Sequence, residues 1–264
     1  MKDSQMEVFY RDDQLQAIPN WTMNMLTADV DRASQSNKAF GAEDDETENE
    51  VKCVGLYIEV EHDIFTHHET FEATQAWIEA VYAQVFVLFD NDGLTLTLQT
   101  VFIWDTPDSY TYDKLNEFRD RLNGDYDGDL AQLVSYEGGG GVAYVDVLCE
   151  KFWGLSYSGL DRTYNDVPTY SWTIGVIAHE LGHNLGSLHT HDCVWGDGDD
   201  AIDCCGAQAG YDTCGGSCNA DPYLPVNGGT ILSYCHLIWD VGINFNEGFG
   251  SEVVARMNVS LNAA

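Results

Sequence analysis

Apolar and polar positions along this chain change rhythm several times, and each change marks an element. An alternating β-rich run, CVGLYIEVEHDIF, reads as a strand. It is followed by ETFEATQAWIEAVYAQVFVLF, in which Phe71, Ala73, Trp77, Ala80, Val81 and Val85 fall near one helical face. An NDG turn then leads into LTLTLQTVFIW, a second strand. SYTYDKLNEFRDRLN reads as a further helix, and AQLVSYEGGGGVAYVDVLC as one or two strands broken by Gly138 to Gly141. The stretch VPTYSWTIGVIAHELGHNLG predicts the next helix. Pro168 stands just ahead of it, Thr169 or Ser171 can cap it, and Ile174, Ile177, Ala178, Leu181 and Leu185 give its buried side. Gly186 stops it, because glycine tolerates positive φ. Strands alternating with helices imply an α/β sandwich on a mostly parallel sheet.

Beyond Gly186 the chain is rich in Gly, Asp and Cys until a final amphipathic segment near SEVVARM. A small, irregular, disulfide-stapled subdomain is therefore expected over residues 187–262, below an upper subdomain over 51–186. Residues 1–50 differ from both. They contain the charge run GAEDDETENE with no apolar period, and read as a flexible acidic linker or the remnant of a pro-segment.

Composition narrows the function. A formal net charge of −33, from 44 acids against 11 bases, argues against nucleic acid and anionic membranes as partners. No apolar run is long enough to span a bilayer, and the opening MKDSQMEVFY lacks the charged-then-apolar layout of a secretory leader. Five of the eight cysteines fall between Cys193 and Cys218, which points to disulfides, an oxidising compartment and hence an extracellular location.

The densest chemistry lies in HELGHNLGSLHTHD, from His179 to Asp192. His179 and His183 are four apart, so on a helix both rings share one face and can grip one Zn²⁺. Glu180 flanks that metal without needing to bind it, which is where a general base for a metal-bound water belongs. A catalytic zinc needs a third protein ligand and an open position. Gly186 bends the chain, and His189 three residues on is the best-placed third ligand, with His191 its competitor. In this composition a chance His-Glu-x-x-His arises with a probability of roughly one or two percent, and the added Gly and third His make accident far rarer.

On these residues the chain resembles a metzincin zinc endopeptidase, most of all the reprolysin (adamalysin) branch. The motif HELGHNLG carries the likeness. VGLYIEVEHDIF is similar to the family's opening strand, and AQLVS with GGGVAYVDVLC to its substrate-side edge strand, over residues 51 to about 260. The resemblance implies a mostly parallel five-stranded twisted sheet with one antiparallel edge strand, packed on two long helices, one of them zinc-binding. It implies an extended substrate paired with the edge strand at Gly139, Gly140, Gly141 and Val142. Leu232 in GGTILSYCH stands at the family's Met-turn methionine. Tyr234 matches a tyrosine that astacins and serralysins place beside the metal, as a fifth ligand, an oxyanion donor or a packed wall. Thr190 departs from the Asp usual after the third histidine, and Asp192 comes two residues later. Glu59 and Asp129 match acidic ligands of a structural Ca²⁺ site, with Asn262 a further candidate. Cys149 matches a cysteine whose usual partner this chain lacks, so the expected pairs are Cys149 with Cys53, Cys193 with Cys235, and the other four among themselves. Residues 1–50 hold no cysteine, and hence no cysteine switch.

The expected function is that of a secreted, monomeric zinc endopeptidase cutting internal bonds of proteins or peptides. The alternative is a non-catalytic module, an adhesin or toxin component, that keeps the zinc fold. The intact Glu180 speaks for the enzyme, and Leu232 for the alternative. Whether residues 1–50 fold back across the cleft is open at this level.

Overall fold

The structure, a computed structural model, describes residues 6–10 (backbone only), 53–198, 200–211, 214, 218 and 223–264. Most of the segment expected to be a flexible linker lies outside the described residues.

Six strands form one sheet in the order β1-β5-β6-β4-β2-β3. They are β1 (Met6–Tyr10), β2 (Cys53–Val60), β3 (Thr95–Ile103), β4 (Leu130–Ser135), β5 (Gly140–Tyr144) and β6 (Leu155–Gly159). The pairs β2/β3, β2/β4 and β4/β6 are parallel, whereas β5 runs antiparallel to β6. Five strands thus match the expected mostly parallel sheet with one antiparallel member. The sixth does not. β1 pairs antiparallel with β5, so β5 is no longer the outer edge.

The helices are α1 (His62–His68), α2 (Phe71–Asn91), α3 (Lys114–Leu122), α4 (Trp172–Asn184), α5 (Cys205–Gln208) and α6 (Ser251–Ala263). The expected first strand stops at Val60, and HDIF opens α1 instead. The buried side chains of α2 are Thr74, Ile78, Val81, Tyr82, Val85, Leu88 and Phe89, steps of one, three and four that make a single stripe. Thr70 caps its start by accepting from the Ala73 amide at 3.1 Å.

Alternation along the strands sorts the core into two layers. Leu56, Ile58, Val60, Leu130 and Val134 pack with α2 and α4. Tyr57, Ala131, Leu133 and Leu155 face the other side, against Leu115, Phe118 and Leu122 of α3. Every residue of α4 is buried, because sheet, α2 and the C-terminal subdomain enclose it. Strand β6 reads poorly as a strand because Ser156 and Ser158 interrupt its apolar pattern. Ser158 is nonetheless buried and accepts from Gln132 at 3.2 Å, and Gln132 in turn accepts from Tyr82 at 2.6 Å. Such satisfied polar chains let hydroxyls sit in a core.

In the C-terminal subdomain the disulfides are Cys193–Cys214, Cys204–Cys218 and Cys205–Cys235. This corrects the expected Cys193–Cys235 pair. The expected Cys149–Cys53 bond is also absent: both residues are exposed, and no disulfide joins them.

Candidate metal centre

The end of α4 sets the site. Gly186 has φ +102, its amide donates to the His183 carbonyl at 2.8 Å, and the Ser187 amide donates to the Gly182 carbonyl at 3.1 Å. These two bonds are a Schellman closure. They turn the chain so that the Ser187 carbonyl accepts from His183 Nδ1 at 2.7 Å. His179 Nδ1 likewise meets the Ile231 carbonyl at 2.7 Å. With Nδ1–H donating in both rings, each Nε2 carries the lone pair that a metal needs.

His189 completes the group. His183 Nε2 and His189 Nε2 are 3.2 Å apart, and ligand atoms of His179, His183 and His189 all lie within 4.8 Å of one another. All three rings are buried. Burial holds the His183 imidazole down at about 4 and pushes those of His179 and His189 well below 6.5. Neutral imidazoles at this spacing are the donor set of one transition-metal ion, so the residues fit a zinc site.

His189 is held by groups the motif does not reveal. Its amide donates to Asp192 Oδ2 at 2.9 Å, and its carbonyl accepts from Trp195 Nε1 at 2.8 Å. The same Asp192 oxygen lies 3.9 Å from His189 Nδ1. Asp192 thus reaches back to support the ligand from two residues beyond the family's usual place. Its three-residue offset from His189 was the only sequence signal for this. Thr190, where the family has Asp, is buried and donates to Asp203 Oδ2 at 2.5 Å. His191 stacks on His189 with centroids 5.0 Å apart and planes 8° apart, and with His189 and Asp192 it forms a second, overlapping donor set. Only the first set includes both histidines that flank Glu180.

Glu180 is fully buried. A Cβ built on Gly141 would stand 2.3 Å from Glu180 Oε1, so the carboxylate lies directly against the β5 backbone. Gly140, Gly141 and Val142 lie in β5, and Gly139 immediately precedes it. Leu232, at the expected Met-turn position, is fully buried against α4. A Cβ on Gly182 would stand 2.8 Å from Leu232 Cδ2, and the Leu232 carbonyl accepts from the Thr190 amide at 3.2 Å. Tyr234 is buried, with its ring centroid 4.5 Å from that of His189 and 6.3 Å from that of His179.

The expected calcium ligands do not assemble. Both Glu59 oxygens are engaged, by Trp104 Nε1 at 2.7 Å, Tyr110 OH at 2.6 Å, Tyr57 OH at 3.0 Å and an ion pair with Arg121. Asp129 Oδ2 accepts from the Gly55 amide at 2.8 Å, and its neighbour Leu130 pairs with Leu56, three residues or about 10 Å from Glu59 along β2. Asn262 is exposed on α6. Glu59 is a buried structural acid and not half of a cation site.

Three buried imidazoles, an adjoining carboxylate and a sheet strand above them define the class: a metal-dependent peptidase site. The family comparison agrees. A sequence profile described as "Metallo-peptidase family M12", of the reprolysin type, matches residues 50–235. The chain belongs to this family of zinc-using metallopeptidases. Among solved structures it is similar to metalloproteinase-II from Bacteroides fragilis, at 18% identity and a TM-score of 0.35. That alignment covers 56% of this chain and 47% of the other, so this chain spans about half the length of that protein. No helix among the described residues is long and apolar enough to cross a membrane.

Proposed function

We propose that this chain is a secreted zinc endopeptidase in which Glu180 moves the proton of peptide hydrolysis. The observation that carries the reading is the buried Glu180 carboxylate, on the same helix that bears His179 and His183 and set against the backbone of Gly141. His179, His183 and His189 hold the ion. Zn²⁺ in such a site acidifies a water molecule and polarises a carbonyl. Glu180 accepts the proton from the attacking water and delivers it to the leaving amine. An extended substrate pairs its backbone with β5, and the missing side chain at Gly141 lets the carboxylate reach the scissile bond. Tyr234, whose ring packs on that of His189, donates to the developing oxyanion in this reading.

A binding module that merely kept the fold would have no use for this carboxylate, because burying an acid without chemistry costs stability. The test is casein hydrolysis by the chain loaded with one zinc, with Glu180→Ala beside it. The expected loss is about 10²–10⁴-fold at unchanged zinc content. A Glu180→Ala protein that cuts as fast as the parent would sink the mechanism.

A further inference from the structure

Helix α6 buries Val253 and Met257 in the core, and the same helix sets Arg256 and Ser260, one turn apart, against the turn that ends α4. Arg256 Nε donates to the Gly186 carbonyl at 2.8 Å. Ser260 donates to Asp146 Oδ1 at 2.6 Å, and a Cβ built on Gly186 would stand 2.3 Å from Ser260 Oγ, so α6 closes directly on the turn. The Arg256 guanidinium also lies over the Trp195 ring, 5.8 Å from its centroid, and within electrostatic reach of Asp146 and Asp192. Trp195 and Asp192 are the two groups that fasten the His189 backbone. One side chain thus meets the loop from His183 to His189 near its start and stands beside both anchors at its end.

We propose that Arg256 is a positioning residue for the third metal ligand, holding the His183–His189 loop so that the His189 ring meets those of His179 and His183. The inference rests on the reading of these three histidines as one zinc site. His179 and His183 need no outside help, because the helix itself fixes their spacing. His189 lies beyond the helix, and a loop residue stays in one place only if contacts offset the entropy lost in holding it there. Arginine suits the task. Its planar fork donates to a carbonyl along one edge while its face rests on an indole and its charge faces a carboxylate.

The test compares three variants of the full chain. Arg256→Met keeps an unbranched stem but neither donor nor charge. Arg256→Lys keeps the charge. Val253→Ala removes buried packing from the same helix and leaves the guanidinium in place. In metal-free protein, hydrogen exchange at the His189 amide is expected to be about tenfold faster in Arg256→Met than in the parent, with amides in the middle of α4 changed by less than about threefold. In a chelator competition, zinc affinity is expected to fall about 10–100-fold in Arg256→Met, by less than about tenfold in Arg256→Lys and by less than about threefold in Val253→Ala. With Co²⁺ in place of zinc, the visible ligand-field bands should shift in Arg256→Met and stay put in Val253→Ala. At saturating zinc, Arg256→Met should lose kcat on a quenched peptide with KM within about twofold, because its contacts are with the loop and not with β5. An unchanged His189 exchange rate, or a zinc affinity equal to the parent's, would overturn the proposal. So would an equal loss of affinity in Val253→Ala, since the packing of α6 would then be all that matters. If His189 exchange responds as expected while the parent itself takes up no zinc, the hold on the loop stands and the zinc reading fails.

Discussion

The approach of the sheet to the proposed base, Glu180, gives the sharpest prediction. A methyl group added at Gly141 would lie 2.3 Å from Glu180 Oε1 and 2.7 Å from both Cδ and Cγ. Ordinary contact begins near 3.4 Å, so strand and carboxylate must part by about 1 Å. Both are buried between β5, β6 and α4, and close-packed interiors yield by small shifts at a cost of about 1–3 kcal/mol. The catalytic cost is larger than that figure suggests. A misplacement of about 1 Å in a reacting group lowers rate by about 10²-fold, equivalent to about 2.7 kcal/mol of lost transition-state stabilisation. Gly141→Ala should therefore bind one zinc per chain and unfold in urea as one transition, yet lose about two orders of magnitude in kcat/KM on a quenched peptide substrate. Zinc is counted by atomic absorption on the same sample. A variant that folds, holds its zinc and cuts within threefold of the parent would show that Glu180 does not work where the structure puts it.

Other outcomes follow from the same geometry. Asp192→Ala removes the carboxylate that holds the His189 amide, and should weaken zinc binding about 10–100-fold in a chelator competition; unchanged affinity would leave Asp192 without an orienting role. Leu232→Met should change stability by less than about 1.5 kcal/mol and keep activity, whereas Leu232→Ala should cost about 2–5 kcal/mol in urea unfolding, because it leaves a cavity against α4. The metal-free chain should be acid-sensitive. The His183 ring sits near 4 in the fold against about 6.5 when unfolded, so its stabilisation is complete above 6.5 and is lost as pH falls toward 4, about 3 kcal/mol from this ring alone. Urea midpoints of chelator-treated protein at pH 7 and pH 4 measure this, and equal midpoints would refute it.

What could be foreseen from the sequence was what is local in it. Helix α4 and its histidines were legible because a 3.6-residue period, a cap region and a stop glycine all lie within some twenty residues, and the metal spacing is part of that period. Strand β6 was missed because its burial depends on Gln132 and Tyr82, which come from β4 and α2. The disulfides escaped for a similar reason. Cys204 and Cys205 are adjacent, yet one joins Cys218 and the other Cys235, a choice made by the fold around them and not by spacing. Strand β1 was invisible because its partner is an open edge, and an edge accepts any extended backbone without requiring an apolar alternation in it.

The choice between His189 and His191 shows where local reading gives out even inside the motif. Both follow Gly186 in one short loop, and either is within reach of a third coordination position. Two backbone contacts and one glycine separate them. The Asp192 carboxylate and the Trp195 indole fasten the His189 backbone, while the His191 ring lies on Gly206, where a Cβ would come within 2.4 Å of it. His191 is thus held by packing against the disulfide-linked loop around α5, and its ring stacks behind His189 without joining the pair on α4. The motif supplies candidate imidazoles, and the C-terminal subdomain selects among them by where it anchors the loop. A change at Gly206 that displaces His191 should therefore disturb the support of His189, although the atoms nearest a Cβ at Gly206 all belong to His191.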